Sequence, residues 1–217
     1  MTMTHISAME LREMLAYTGK RIEAEEPALT ALDSAIGDGD HGITMRLGFQ
    51  AIKKATAGLP ENASISSVLT TAGNAFMGGT GGAIGVILGR ALIAGGKALA
   101  DAQQIGPEEF KTMLCAMEEG VVKVGRAKPG DKTLLDALHA AVVSLTTTSG
   151  NDSLEKIVSR AADAGETGAQ GTADIPCRLG RASRLGDRAL GHRDPGAVSF
   201  SLILRAMSDW INGKGAY

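Results

Sequence analysis

Asp33-Ser-Ala-Ile-Gly-Asp38-Gly-Asp40-His41-Gly42 sets three carboxylates within eight residues. Glycines separate or follow them, and no basic residue lies among them. Carboxylates this close repel one another unless a cation sits among them. Apart from His41, the side-chain ligands on offer are hard oxygens, which suit Mg²⁺, Mn²⁺ or Ca²⁺ better than zinc. The plain alternative is a polar Asp/Gly turn before a helix. A Ca²⁺ EF-hand loop does not fit. Its twelfth position, counted from Asp38, is Phe49, where a bidentate Glu is required.

On the N-terminal side, residues 7–25 carry Met9, Leu11, Met14, Leu15 and Ile22, mostly at three- and four-residue steps. That is the period of a helix with one buried face. Ser7 and Glu10 make a capping box, and Pro27 is expected to end this helix or shortly follow its end. On the C-terminal side the same period runs through Met45, Leu47, Phe49 and Ile52, predicting a helix from Ile43 to Gly58. Further helices are expected over 64–77, 82–102, 107–124, 131–148 and 152–172, with a turn at Gly150-Asn151-Asp152. Asp194-Pro195 starts the last helix, with Asp at the N-cap and Pro at the first helical position. Residues 174–193 read as a long functional loop. No segment alternates as a strand does. The periodicity predicts one all-α domain of about eight helices, covering residues 1–217.

Composition agrees. With 217 residues, 44% hydrophobic and 21% charged, the chain suits one domain with a sizeable core. Aromatics are 3% and glycines number 29, so the core must rest on aliphatic residues and Met, with close helix packing through small residues. A formal net charge of −2 does not suggest non-specific nucleic-acid binding. Cys115 and Cys177 form neither a metal spacing nor a disulfide framework. The first ten residues lack a signal pattern. The apolar run from Ala83 to Ala100, interrupted by Arg90 and Lys97, makes a poor membrane span. A cytoplasmic protein with neither membrane nor nucleic-acid partners is the expectation.

Three further segments offer chemistry. Met77-Gly78-Gly79-Thr80-Gly81-Gly82-Ala83 precedes a helix, and bare N–H groups at a helix start suit a phosphate. Gly78, Gly82, Gly85 and Gly89 would equally let a neighbouring helix approach. Gly125-Arg-Ala-Lys-Pro-Gly130-Asp131-Lys132-Thr133 falls short of a P-loop, because Asp131 intervenes before Lys132 and the preceding segment reads as helix rather than strand. Asp131 suits an N-cap instead. Gly180 to Ala197 joins an Arg-rich loop to a helix start, and alone it reads as solvated surface.

Taken in order, the acidic decapeptide and these three segments resemble the nucleotide-binding L subunit of dihydroxyacetone kinase and the matching domain of single-chain dihydroxyacetone kinases. That family is built as eight antiparallel helices arranged as a barrel. The resemblance implies that Asp33, Asp38 and Asp40 hold two Mg²⁺ ions under the nucleotide phosphates. It implies nucleotide contacts from His41, Gly42, Ile43 and Thr44, and from Thr80 and Gly81 of the glycine-rich loop. Gly125 and Leu134 would line the nucleotide pocket. Asp194, Pro195 and Gly196 match a nucleotide-contacting turn, and Arg181 matches a phosphate-facing arginine that would act catalytically. His41 either contacts a phosphate, as the matching family position does, or caps the following helix. Three positions depart from the family: Gly81 replaces a usual Ser, Arg184 a usual Tyr, and Ile175-Pro176-Cys177 a Met-containing segment.

The function implied is that of the Mg-nucleotide subunit of a dihydroxyacetone-kinase-like enzyme. It would transfer a phosphoryl group from ATP to dihydroxyacetone or a tetrose held by a separate K subunit. No general base for the sugar is found in this chain. In one version, bound ADP is rephosphorylated by a phosphohistidine phosphocarrier protein. In the other, ATP exchanges freely. A homodimer is left open. The alternative from another class is a non-catalytic Mg-nucleotide sensor that binds a regulator.

Overall fold

The structure is a computed structural model and describes residues 3–148 and 152–214, with the side chains of Arg181, Ala182, Leu185 and Lys214 outside that description. Among the described residues there are nine α-helices: α1 (Ala8–Ala24), α2 (Glu26–Ile36), α3 (His41–Ala57), α4 (Ile65–Gly79), α5 (Gly82–Ala98), α6 (Pro107–Gly125), α7 (Leu134–Leu145), α8 (Leu154–Gly171) and α9 (Pro195–Asp209). The expected turn at Gly150 and Asn151 lies outside the described residues.

Eight of the nine close a ring. Going round it, α1 packs on α3, α3 on α4, α4 on α5, α5 on α6, α6 on α7, α7 on α8, α8 on α9, and α9 on α1. The chain turns back at each step, through short connections except for α2 between α1 and α3 and the long segment between α8 and α9, which gives the antiparallel barrel. One cluster fills it, from Leu11 and Met14 through Phe49, Phe76, Phe110 and Leu138 to Phe200 and Leu204. Small residues set the helix spacing. A Cβ at Gly73 would lie 2.5 Å from the Gly89 carbonyl oxygen, and one at Gly168 2.6 Å from that of Asp136. The α4/α5 and α7/α8 pairs therefore meet backbone to backbone.

The ninth helix was not expected. Pro27 shortly follows the end of α1, one of the two expectations for it, and sits in the first turn of α2, where the missing N–H costs nothing. Glu25 ends α1 and precedes α2 at once. α2 lies outside the ring against α3 and α9. The caps read from the sequence form elsewhere: Glu10 Oε2 accepts from Ser7 N at 2.8 Å, and Asp194 Oδ2 accepts from Ala197 N at 2.7 Å. Asp131 is not a cap. α7 starts later, with Thr133 as N-cap and Asp136 Oδ2 accepting from Thr133 N at 2.7 Å. The loop over 174–193 contains a 3₁₀ segment, Arg181–Ala189, broken at Gly186.

Candidate active site

The start of α3, the α4/α5 turn, the α6/α7 connection and the approach to α9 all fall at one end of the barrel. They enclose a cleft of about 630 Å³. Its acidic side comes from the α2–α3 junction. Because α2 ends at Ile36, Asp33 lies in its last turn, and its Oδ2 accepts from Asp40 N at 3.0 Å and His41 N at 3.2 Å. Asp33 thus does for α3 what an N-cap side chain would do. Gly37 and Gly39 make the tight passage possible. A Cβ at Gly37 would fall 2.2 Å from Asp33 Oδ1, and Gly39 has φ +77°. Carboxylate oxygens of Asp33, Asp38 and Asp40 then lie within 4.8 Å of one another. Three hard oxygens this close, one oriented by two backbone N–H groups, fit a divalent cation such as Mg²⁺.

His41 stands beside them, only 8% exposed, with Nε2 2.9 Å from Ser199 Oγ on α9. Burial pulls its imidazole below the ordinary 6.5, against the opposing pulls of Asp33 and the Pro195 carbonyl. The ring is therefore neutral at pH 7 and bridges two helices as well as lining the cleft. Thr44 lines the cleft too, one turn into α3. Gly42 and Ile43 are not among the lining residues. A Cβ at Gly42 would lie 2.3 Å from the Glu26 carbonyl oxygen, so this glycine seats α2 on α3, and Ile43 is exposed.

The glycine-rich turn divides between the two roles open to it. Gly85 and Gly89 are packing residues: added Cβ atoms would meet Thr80 Oγ1 at 2.4 Å and Met77 at 2.3 Å. At Gly78, Gly81 and Gly82 a Cβ would meet nothing within 4 Å. Gly81 and Gly82 line the cleft, where Gly82, at φ +74°, opens α5. Thr80 turns away from it and donates from Oγ1 to the Phe76 carbonyl at 2.6 Å.

The opposite wall is apolar. Val86 and Ile87 of α5, Val121 and Val124 of α6, Leu134 of α7 and Leu179 all line the cleft, together with Gly125. Val86 is 46% exposed and Val124 39%, so they face the cleft rather than the barrel core. Sequence reasoning missed this wall except for Gly125 and Leu134. Its valines sit on helix faces that look like any other apolar face until the partner helices are known. Asp194, Pro195 and Gly196 line the cleft at the start of α9. Burial pushes the Asp194 carboxyl up from 3.8 to about 7, although the Ala197 N–H and the nearby Lys132 hold it down. Arg181 directly follows the cleft-lining Gly180, and its side chain lies outside the described atoms.

A ring of eight helices with an acidic cluster, a glycine turn and an apolar wall at one mouth defines a helical-barrel class of ligand-binding domain. The chain belongs to the DAK2 domain family, whose model matches residues 35–209. It is 37% identical to the ADP-binding subunit DhaL of a PEP-dependent dihydroxyacetone kinase of Listeria innocua, over 87% of this chain and 89% of that subunit. It is 33% identical to the corresponding Escherichia coli subunit, over 94% and 97%. An L-erythrulose 1-kinase of Mycolicibacterium smegmatis is 33% identical over 86% of this chain, which corresponds to 33% of that enzyme. Among solved structures, the dihydroxyacetone kinase from C. freundii in complex with AMP-PNP and Mg²⁺ superposes with a TM-score of 0.71 at 25% identity. That match covers 97% of this chain and 35% of the solved chain.

Proposed function

We propose that the chain is the Mg-nucleotide-binding subunit of a kinase that phosphorylates a short ketose, dihydroxyacetone or a tetrose, held by a separate K subunit. The observation that carries the reading is the pairing, across one cleft, of three clustered carboxylates with an apolar wall and a glycine turn. The wall suits a purine base. Gly81 and Gly82 let phosphates approach the backbone at the start of α5. Asp33, Asp38 and Asp40 would hold Mg²⁺, which when bound offsets phosphate charge. Arg181 would stabilise charge on the transferring phosphoryl group, a role that rests on its match to the family's phosphate-facing arginine and its place after Gly180. His41 orients the α3 end against α9. The names of the L-subunit relatives, PEP-dependent and ADP-binding, with their similar lengths, favour a two-subunit enzyme whose bound ADP is recharged, for which a phosphocarrier protein is the proposed donor.

Calorimetry of ADP binding with Mg²⁺ and with EDTA tests the reading. Binding should weaken strongly in EDTA and on Asp38→Ala. Equal affinity under all three conditions overturns it. Arg181→Ala should cut turnover of the reconstituted enzyme roughly a hundredfold, about 3 kcal/mol, with little change in nucleotide affinity. Normal turnover removes Arg181 from the site.

A further inference from the structure

Lys132 is a buried cation with an unusual set of partners. It is 1% exposed, and its backbone holds φ +63°, a left-handed conformation unfavourable for a residue with a Cβ. Its Nζ donates to four main-chain carbonyl oxygens: Thr172 at 2.7 Å, Ile175 at 3.2 Å, Ala189 at 2.8 Å and His192 at 2.6 Å. An ammonium has three hydrogens, so one is shared between two oxygens. A neutral amine would turn its lone pair toward a carbonyl, so the cage itself calls for the charged form. Burial works against that charge and pulls the group below its ordinary 10.5, while Asp194 and Asp174 support it.

The four carbonyls come from two places. Thr172 and Ile175 form the departing stem of the long loop after α8. Ala189 and His192 form the returning stem before α9. Between the stems lie Cys177, Leu179 and Gly180, which line the cleft, and then Arg181. Lys132 itself belongs to the α6/α7 connection, where the Asp131 carbonyl accepts from Arg178 N at 3.1 Å. Two stem-to-stem bonds complete the base: Gly191 N to the Ala173 carbonyl at 2.9 Å, and Asp194 N to Thr172 Oγ1 at 2.9 Å.

We propose that Lys132 is the positioning residue of the site: its caged ammonium clasps both stems of the 172–192 loop and so holds the Cys177–Gly180 wall against bound nucleotide. The role rests on the nucleotide reading above. Lys132 also lines the cleft, but every hydrogen bond of its Nζ goes to main chain, so it acts through the loop. A charge in a low-dielectric cage strengthens every bond it makes, and the bonds fail together when the charge is lost.

Two measurements test it. In the unmodified protein, isotope-labelled lysine should show one ammonium resonance protected from solvent exchange, because the other lysines with described side chains are not buried. This needs no variant and stands even where Lys132→Met fails to fold. In Lys132→Met, trypsin should cut the loop, which offers Arg178, Arg181, Arg184 and Arg188, on the order of tenfold faster than wild type, while cleavage elsewhere and helical content stay unchanged. ADP should dissociate from this variant faster by a similar factor. Absence of a protected ammonium signal, or a loop cut at the wild-type rate, overturns the proposal. So does an opened loop that releases ADP at the wild-type rate. None of these outcomes touches Mg-dependent ADP binding by the unmodified chain, whose loss would instead sink the nucleotide reading.

Discussion

Asp194 caps α9 and also lines the cleft, and the two roles pull its proton in opposite directions. The Ala197 N–H favours the carboxylate, but burial wins and raises the group to about 7 from 3.8. The folded chain therefore keeps a proton that the unfolded chain releases between those values. The sign follows: this group favours folding at acid pH, and its contribution is lost as pH rises from about 4 through about 7. Asn caps a helix as well as Asp does but carries no titrating proton. Asp194→Asn should flatten the fall in stability across that window, by an amount on the order of a few kcal/mol. Denaturant midpoints of both proteins from pH 4 to pH 8 measure it, and parallel curves would remove Asp194 as the cause. At this scale the acidic motif was legible from spacing alone. The partners of His41 and Lys132 were not, because Ser199 and the four carbonyls lie far away in sequence and no local pattern marks them.

The helices divide glycines into two kinds with opposite mutational behaviour. Gly48 on α3 faces Phe76 on α4, and a Cβ there would lie 2.2 Å from the ring. Phe76 is fully buried and meets Phe49 edge-on at a centroid distance of 5.9 Å, so the ring has nowhere to go. Overpacking of this kind typically costs about 1–3 kcal/mol. For a chain of this size that lowers the melting temperature by roughly 2–4 °C per kcal/mol. Gly81 has φ −103° and ψ −179°, ordinary extended values, and open space around its Cβ position. Gly48→Ala should lower the melting temperature and leave ADP affinity alone. Gly81→Ser should leave the melting temperature within error and tighten ADP by adding a hydroxyl at the phosphate turn. Thermal melts with calorimetry on both variants decide it. The reverse pattern would mean the glycines have been assigned to the wrong roles. Most helices were readable from their period and caps. α2 was not, because Pro27 signals a helix end and a helix start equally well, and only packing against α3 and α9 selects the start.

For the whole molecule, the proposed function assigns the cleft to one substrate, the nucleotide. Among its described lining residues the only histidine is His41, whose Nε2 already faces Ser199. Its carboxylates have other tasks: Asp33, Asp38 and Asp40 cluster as candidate metal ligands, and Asp194 caps α9 through Ala197 N. The purified chain with Mg-ATP and dihydroxyacetone should therefore show no phosphorylation, and turnover should appear on adding a ketose-binding K subunit. A coupled assay following ketose phosphate checks this, and turnover by the chain alone would overturn the two-subunit assignment. The comparison with the solved kinase, where this fold is 35% of the chain, points the same way.

By itself the sequence determined the all-α class, most helix boundaries, the acidic cluster and the motifs that place the chain in its family. These are local properties: a 3.6-residue period, a cap three positions from its partner, carboxylates within eight residues. Tertiary structure alone decided that eight helices close a ring while α2 stays outside. It also decided that Val86 and Val124 face a cleft instead of the core, and that Gly42 and Thr80 serve packing and capping. It alone made Lys132 the clasp of a loop forty and more residues away. The physical reason is common to all four. An apolar face, a glycine or a buried charge states what it needs, but several partners could satisfy it, and closure of the barrel selects which one does.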